Sequence, residues 1–230
     1  MNQNRCHPLS RRGVLMLAGA AWVAAPQTRF TLTKVAWAGV PEEDIMNPGP
    51  LPDKFLGSPE APVTIIEYAS MTCSHCAQFA ITMFPDIKAR YIETGKVRYT
   101  IREFPLDELA AAAAMLARSS GDNYFNVIEL LLQRQSQWMG TNRIQELMSL
   151  AINQLGFTPQ SFKACLSDRQ LLENVKKAFD RAIALQVTSA PTFFINGQKH
   201  NNFQSTAEID DLIASKLETR MHLGLHSRSQ

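Results

Sequence analysis

The chain has 230 residues, of which 45% are hydrophobic and 19% charged, and it carries four cysteines. That length buries a sizeable core in one domain, with room for an insertion, and excludes a disulfide-stapled mini-protein. The formal charge of +2 is unevenly placed: residues 1–38 hold Arg5, Arg11, Arg12, Arg29 and Lys34 and no acidic residue, and the remaining 18 basic and 21 acidic residues give the body −3. A weakly acidic body speaks against a nucleic-acid partner, which favours a basic face.

The N-terminus reads as an export signal peptide over residues 1–38. Ser10-Arg11-Arg12-Gly13 precedes an apolar run, Val14 to Ala25, and Ala36-Trp37-Ala38 offers small residues at the spacing of a signal-peptidase site. The twin arginine matches the Tat export pattern, with Val14 where that pattern has Phe, so the ordinary secretory route stays open. The apolar run is shorter than the ~20 residues that span a bilayer. Removal of the signal takes Cys6 with it and leaves Cys73, Cys76 and Cys165, an odd count, in the periplasm, where disulfides persist.

Residues 39–62 are rich in proline (Pro41, Pro48, Pro50, Pro52, Pro59, Pro62), which predicts an extended lead-in without a helix. Val63 to Tyr68 predicts a buried strand. A helix follows from Ser74 to about Ile92, kinked at Pro85. Lys96 to Ile101 alternates and predicts a second strand. Residues 106–186 are helical in pattern throughout, punctuated by Gly121, Gly140 and Gly156. Thr192 to Ile195 predicts a strand and Asn196-Gly197 a hairpin turn, with Phe203 in the returning strand. Thr206 is placed as the cap of a final helix, and residues 221–230 as a frayed tail. The order is an alternating β/α core, interrupted by a helical block too long to be a loop.

Cys73-Ser74-His75-Cys76 follows directly on a strand and opens a helix. Residues i and i+3 of a helix start lie ~5 Å apart, within disulfide reach. Cys73, at the helix N-terminus, gains thiolate stability from unpaired backbone donors and the dipole. Cys76 lies one turn inside and is expected to be more buried. His75 sits where its ring can further favour the Cys73 thiolate. One CxxC is half a zinc site, and His75, His200, His222 and Cys165 have no ligand spacing, so no metal or other cofactor is expected. Glu67 stands inside the apolar strand, where burial raises a carboxyl pKa. It either relays a proton to Cys76, or reaches solvent, or pairs with Arg98 or Arg102. Ser189-Ala190-Pro191-Thr192 puts a proline at the opening of a strand, a setting for a cis bond. Cys165, beside Phe162 and Leu166, reads as a buried inert thiol or a redox-regulatory one. Arg102 to Leu106 is either a border of a client groove or a plain strand-to-helix turn.

The run from Val63 to Phe79 around Cys73-Ser74-His75-Cys76, the segment from Thr188 to Gly197, and the helical block between them resemble the DsbA family of bacterial exported thiol oxidases. The resemblance covers residues 55–220. It implies an α/β, thioredoxin-like fold over 63–105 and 187–220, with an inserted all-helical subdomain over 106–186. It also implies a cis Pro191 facing the cysteines, Glu67 at a buried acidic position, and Ala190 as the residue whose backbone pairs with a client peptide. The function implied is the introduction of disulfides into exported client proteins with free thiols, by a monomer recharged by a DsbB-type quinone-linked membrane partner. A disulfide isomerase or reductase using the same site, and a non-enzymatic client-binding surface protein, are the rival readings. Two residues depart from the best-known members: Ser74 replaces Pro, and Ala190 replaces Thr or Val.

Overall fold

The computed structural model describes residues 41–226. The export signal read over residues 1–38, with Cys6, lies outside them. The proline-rich lead-in is not wholly extended, because a short helix, α1 (Glu42–Met46), stands in it. Three acidic residues fill its first turn, where the helix dipole favours negative charge, and Ile45 anchors it by burial. Farther on, the lead-in runs along a sheet edge, and Leu56 exchanges both backbone hydrogen bonds with Tyr99 at 2.8 and 2.9 Å.

Strand β1 (Val63–Ala69) is buried at all seven positions. A Val- and Ile-rich run without polar alternation is what a sheet covered on both faces selects. β1 pairs in parallel with β2 (Val97–Glu103), from Val63 opposite Val97 to Ala69 opposite Glu103. Between them the predicted single helix is divided into α2 (Ser74–Thr82), α3 (Phe84–Ile87) and a π-helical turn (Lys88–Ile92). Pro85 lacks the N–H that would continue α2, so the expected kink is a break. It occupies the first turn of α3, where no intrahelical donor is needed.

Six α-helices then separate β2 from β3 along the chain: α4 (Glu108–Ser119), α5 (Tyr124–Gln133), α6 (Gln135–Trp138), α7 (Arg143–Gln154), α8 (Pro159–Leu166) and α9 (Arg169–Ala184). Local chemistry starts several of them. Asp107 accepts the Ala110 N–H at 2.7 Å, Thr158 and Ser161 form a reciprocal capping box, and Asp168 accepts the Leu171 N–H at 2.9 Å. The alanines of α4 let neighbours approach closely, and Ala110, Ala113, Ala114 and Ala117 are all buried. The block is bound to the sheet by a buried ion pair: Arg118 of α4 holds Glu103 of β2 at 2.7 Å, and the Tyr124 hydroxyl donates to the same carboxylate at 2.8 Å.

The chain returns as β3 (Thr192–Ile195) and β4 (Gln198–Asn201), giving the sheet order β2-β1-β3-β4 with β3 antiparallel to both neighbours. Asn196 and Gly197 turn the hairpin with φ of 45° and 79°, which these two residue types tolerate. Asn196 Oδ1 also accepts the Thr64 N–H at 2.7 Å, fixing the hairpin to β1. Phe203 lies beyond β4 rather than in it and packs its ring on Phe193, 4.9 Å between centroids. Helix α10 (Thr206–His226) begins at Thr206 instead of being capped by it, and it runs past Met221, where a frayed tail was expected.

The two faces of the sheet are buried separately. Val63, Ile65, Val97, Tyr99, Phe193 and Ile195 pack under α2, α3, α10 and the helical block. Ile66, Tyr68 and Phe194 pack under α1 and the end of α9. The polar positions of β2 are therefore covered: Arg98 donates to Thr64 Oγ1, and Arg102 pairs with Asp53 at 2.7 Å. Among the described residues no helix is long and apolar enough to cross a membrane.

Candidate active site

The loop from Ser70 to Cys73 leads from β1 into α2. Cys73 is the N-cap of α2, with φ −81° and ψ 121°, and its sulfur accepts the Cys76 N–H at 3.4 Å. A thiol at this position occupies the place of a capping oxygen, so the orphan donors of the helix start converge on sulfur. The Cys73 thiol donates to the Ala190 carbonyl at 3.2 Å, and the Ala190–Pro191 bond is cis. The strand–CxxC–helix unit and the proline loop, over a hundred residues apart in sequence, thus meet at one sulfur. Both cysteines are free thiols and both are buried, Cys73 at 7% exposure and Cys76 at 0%. The contrast in exposure is smaller than the sequence suggests, because the Ala190 loop lies against Cys73.

Electrostatics separates the two sulfurs far more than exposure does. The Cys73 thiol is lowered from 9.0 to about 6, first by its hydrogen bond from Cys76, against the opposing effect of burial, then by the backbone N–H groups of Cys76 and His75 and the charge of His75. Cys76 is pushed far up, because its proton is held by Cys73 and because burial and the nearby Glu67 both oppose a second negative charge. His75 itself is exposed at the helix start.

Glu67 is 1% exposed, so the alternative of a strand-end carboxylate in solvent is overturned. Pairing with arginine is overturned as well, since Arg98 and Arg102 are engaged by Thr64 and Asp53. The partner of Glu67 is the Tyr99 hydroxyl, which donates to Oε2 in a short hydrogen bond. Burial is the main reason that the Glu67 carboxyl is raised from 4.5 to about 8; Tyr99 lowers it and Cys73 raises it further. A carboxyl raised this far favours its protonated form near neutrality.

Two residues of the site carry no signal of their own in the sequence. Tyr99 becomes visible only with the parallel register, which sets it opposite Ile65 on the same face as Glu67. Gln135 lies in α6, 62 residues from Cys73, yet its amide donates to the Cys73 carbonyl at 3.1 Å and to the Met71 carbonyl at 2.8 Å. The segment from Arg102 to Leu106 is a strand-to-helix turn that also touches the loop: the Leu106 N–H donates to Ser70 Oγ at 3.4 Å, and Leu106 is 53% exposed. Cys165 is not brought to the pair. It is buried in α8 against the Ser119 hydroxyl at 3.1 Å, and burial raises its pKa.

A family model described as thioredoxin matches residues 51–215. The crystal structure of Wolbachia pipientis alpha-DsbA1 superposes with a TM-score of 0.72 at 31% identity, covering 80% of this chain and 100% of that one. The chain belongs to the DsbA family of the thioredoxin superfamily. A Rickettsia bellii protein named for protein-disulfide oxidoreductase activity is 36% identical over 155 residues, which are 66% of this chain and 60% of that protein's length. The oxidised BdbD structure from Bacillus subtilis shares the DsbA-like fold, with a TM-score of 0.64 at 23% identity over 72% of this chain and 93% of that one.

Proposed function

We propose that this protein is an exported thiol–disulfide oxidoreductase that introduces disulfides into client proteins through a Cys73–Cys76 disulfide. The observation that carries the reading is the inequality of the two sulfurs: Cys73 caps the start of α2 and accepts the Cys76 N–H, which favours its thiolate, while Cys76 is wholly buried, which favours its thiol. A stabilised Cys73 thiolate is a good leaving group and favours the reduced pair, so the disulfide form is a strong oxidant.

In the oxidised enzyme a client thiolate attacks Cys73 sulfur. The Cys73–Cys76 bond breaks, a mixed disulfide forms, and Cys76 leaves with the electron pair and takes a proton from Glu67. A second client thiolate then attacks its own sulfur in the mixed disulfide, and Cys73 departs as a thiolate stabilised by the start of α2 and by His75. The client loses two electrons and the pair gains them. Ala190 and Pro191, beside Cys73, present the backbone to which a client strand would pair. A DsbB-type quinone-linked membrane partner restores the disulfide. The basic and apolar residues 1–38 support export to the periplasm.

The test is oxidation of a reduced dithiol peptide by the purified oxidised protein. Stoichiometric peptide disulfide is expected from the wild type and none from Cys73→Ser. An ultraviolet thiolate titration that places Cys73 at the value of free cysteine sinks the oxidase reading. Efficient rescue of a scrambled client by the protein alone would point to an isomerase instead.

A further inference from the structure

Hydrogen bonding at the site leaves one oxygen of Glu67 over. Oε2 accepts the Tyr99 hydroxyl, and Oε1 is buried with no partner. Buried carboxyl oxygens are costly when unpartnered, and natural cores pair them with protein or with water. Glu67 also forms part of the wall of a small cavity with Phe79, Ala80, Tyr99, Ile128 and Glu129, in which about 10 Å³ can take the centre of a water molecule. That is room for a single water. Apart from Glu67 and Tyr99, the polar side chain in this wall is Glu129. Its carboxylate reaches the surface at 28% exposure, where Lys88 Nζ holds it at 3.1 Å and is itself 36% exposed.

We propose that this cavity holds one water that bridges Glu67 to Glu129, and that Glu129, under Lys88, is the group through which Glu67 exchanges its proton with solvent. The proposal rests on the proton transfer between Glu67 and Cys76 set out above. When Cys76 leaves with the electron pair of the disulfide, it takes the Glu67 proton and a carboxylate remains in an apolar pocket. One proton must then enter from solvent, and one must leave when the disulfide is restored. The titratable groups facing Glu67 are Tyr99 from β2, Cys73 and Cys76 from the start of α2, and Glu129 from α5, with Lys88 of the π-helical turn behind it; β3 offers Phe193. Tyr99 is held protonated by burial, and a bound client covers the Cys73 side. Glu129 is the group among these that joins the cavity to solvent.

The proposal predicts a split between rate and equilibrium. Glu129→Gln removes the outlet with little change of shape, and Ala80→Leu fills the cavity while keeping both Glu67 and Glu129 in the chain. The oxidised proteins are reduced with dithiothreitol in H2O and in D2O, and the reduction potential of each pair is measured. Each variant should react roughly tenfold more slowly, less than the ~10²-fold lost with a direct proton donor, with an enlarged solvent isotope effect and an unchanged potential. Unchanged rates and isotope effects in both variants overturn the outlet. So does slowing that merely follows a shifted potential, which would mark the two residues as packing. If Glu67→Gln is reduced at the wild-type rate, the relay fails and the outlet with it. Normal reduction by dithiothreitol without oxidation of a dithiol peptide would sink the oxidase reading and leave the outlet standing.

Discussion

Two groups at the site, Glu67 and Cys73, have pKa values displaced in opposite directions, and each writes its own pH dependence into the stability of the reduced protein. Glu67 is raised from 4.5 to about 8. Between those values the folded protein keeps a proton that the unfolded chain has lost, so stability falls as pH rises, by at most about 1.4 kcal/mol per pH unit. Cys73 is lowered from 9.0 to about 6. There the folded protein has lost a proton that the unfolded chain keeps, so stability rises with pH and is lost as pH falls through about 6. From pH 6 to 8 the slopes oppose. Reduced wild type should be nearly flat across this window, Glu67→Gln should gain stability with rising pH, and Cys73→Ser should lose it. Urea unfolding at a series of pH values reads all three; three parallel profiles would mean that neither group titrates where its surroundings place it. The CxxC pair and the acid were legible in the sequence, because a cysteine pair at helical spacing and a carboxyl in an apolar strand are both unusual. The phenol that holds the acid was not, because an aromatic residue in a strand is ordinarily core.

At the scale of elements, α6 contributes more to the site than its four residues suggest. Gln135 spans two carbonyls of the Cys73 loop, so the helical block fixes the loop that carries the sulfur. Gln135→Leu removes both donors and should lower stability by about 1–2 kcal/mol. It should also alter the rate at which iodoacetamide alkylates Cys73 at fixed pH, a readout that lost stability alone does not move. Thermal unfolding and the alkylation rate together decide it, and an unchanged rate would reduce Gln135 to a packing residue. The helix starts at Asp107, Thr158 and Asp168 rest on side-chain capping that the structure brings out. The break at Pro85 follows from its missing N–H, whereas the short α1 and the start of α10 are held by packing. Buried Ile45 anchors α1, and buried Ile209 and Ile213 anchor α10.

For the molecule as a whole, the apolar join between sheet and helical block carries a buried ion pair at the end of β2. Arg118, Glu103 and Tyr124 form a buried group at the end of β2, and Arg118 also donates to the Pro52 carbonyl at 2.6 Å. Arg118→Met leaves Glu103 buried without its counter-charge and should cost about 3–5 kcal/mol, measured as a lowered urea midpoint. A loss below 1 kcal/mol, the size of an exposed pair, would show that solvent reaches the group. The sequence by itself determined the alternating β/α core, the interrupting helices and the place of Cys73 and Cys76 at the start of a helix after a strand, because local periodicity and a three-residue spacing encode them. Only the tertiary structure decided that Ala190 meets Cys73, that Tyr99 holds Glu67 and that Gln135 fixes the loop. Those contacts join residues separated by 32 to 117 positions, and strand register and helix packing, which no local pattern states, bring them together.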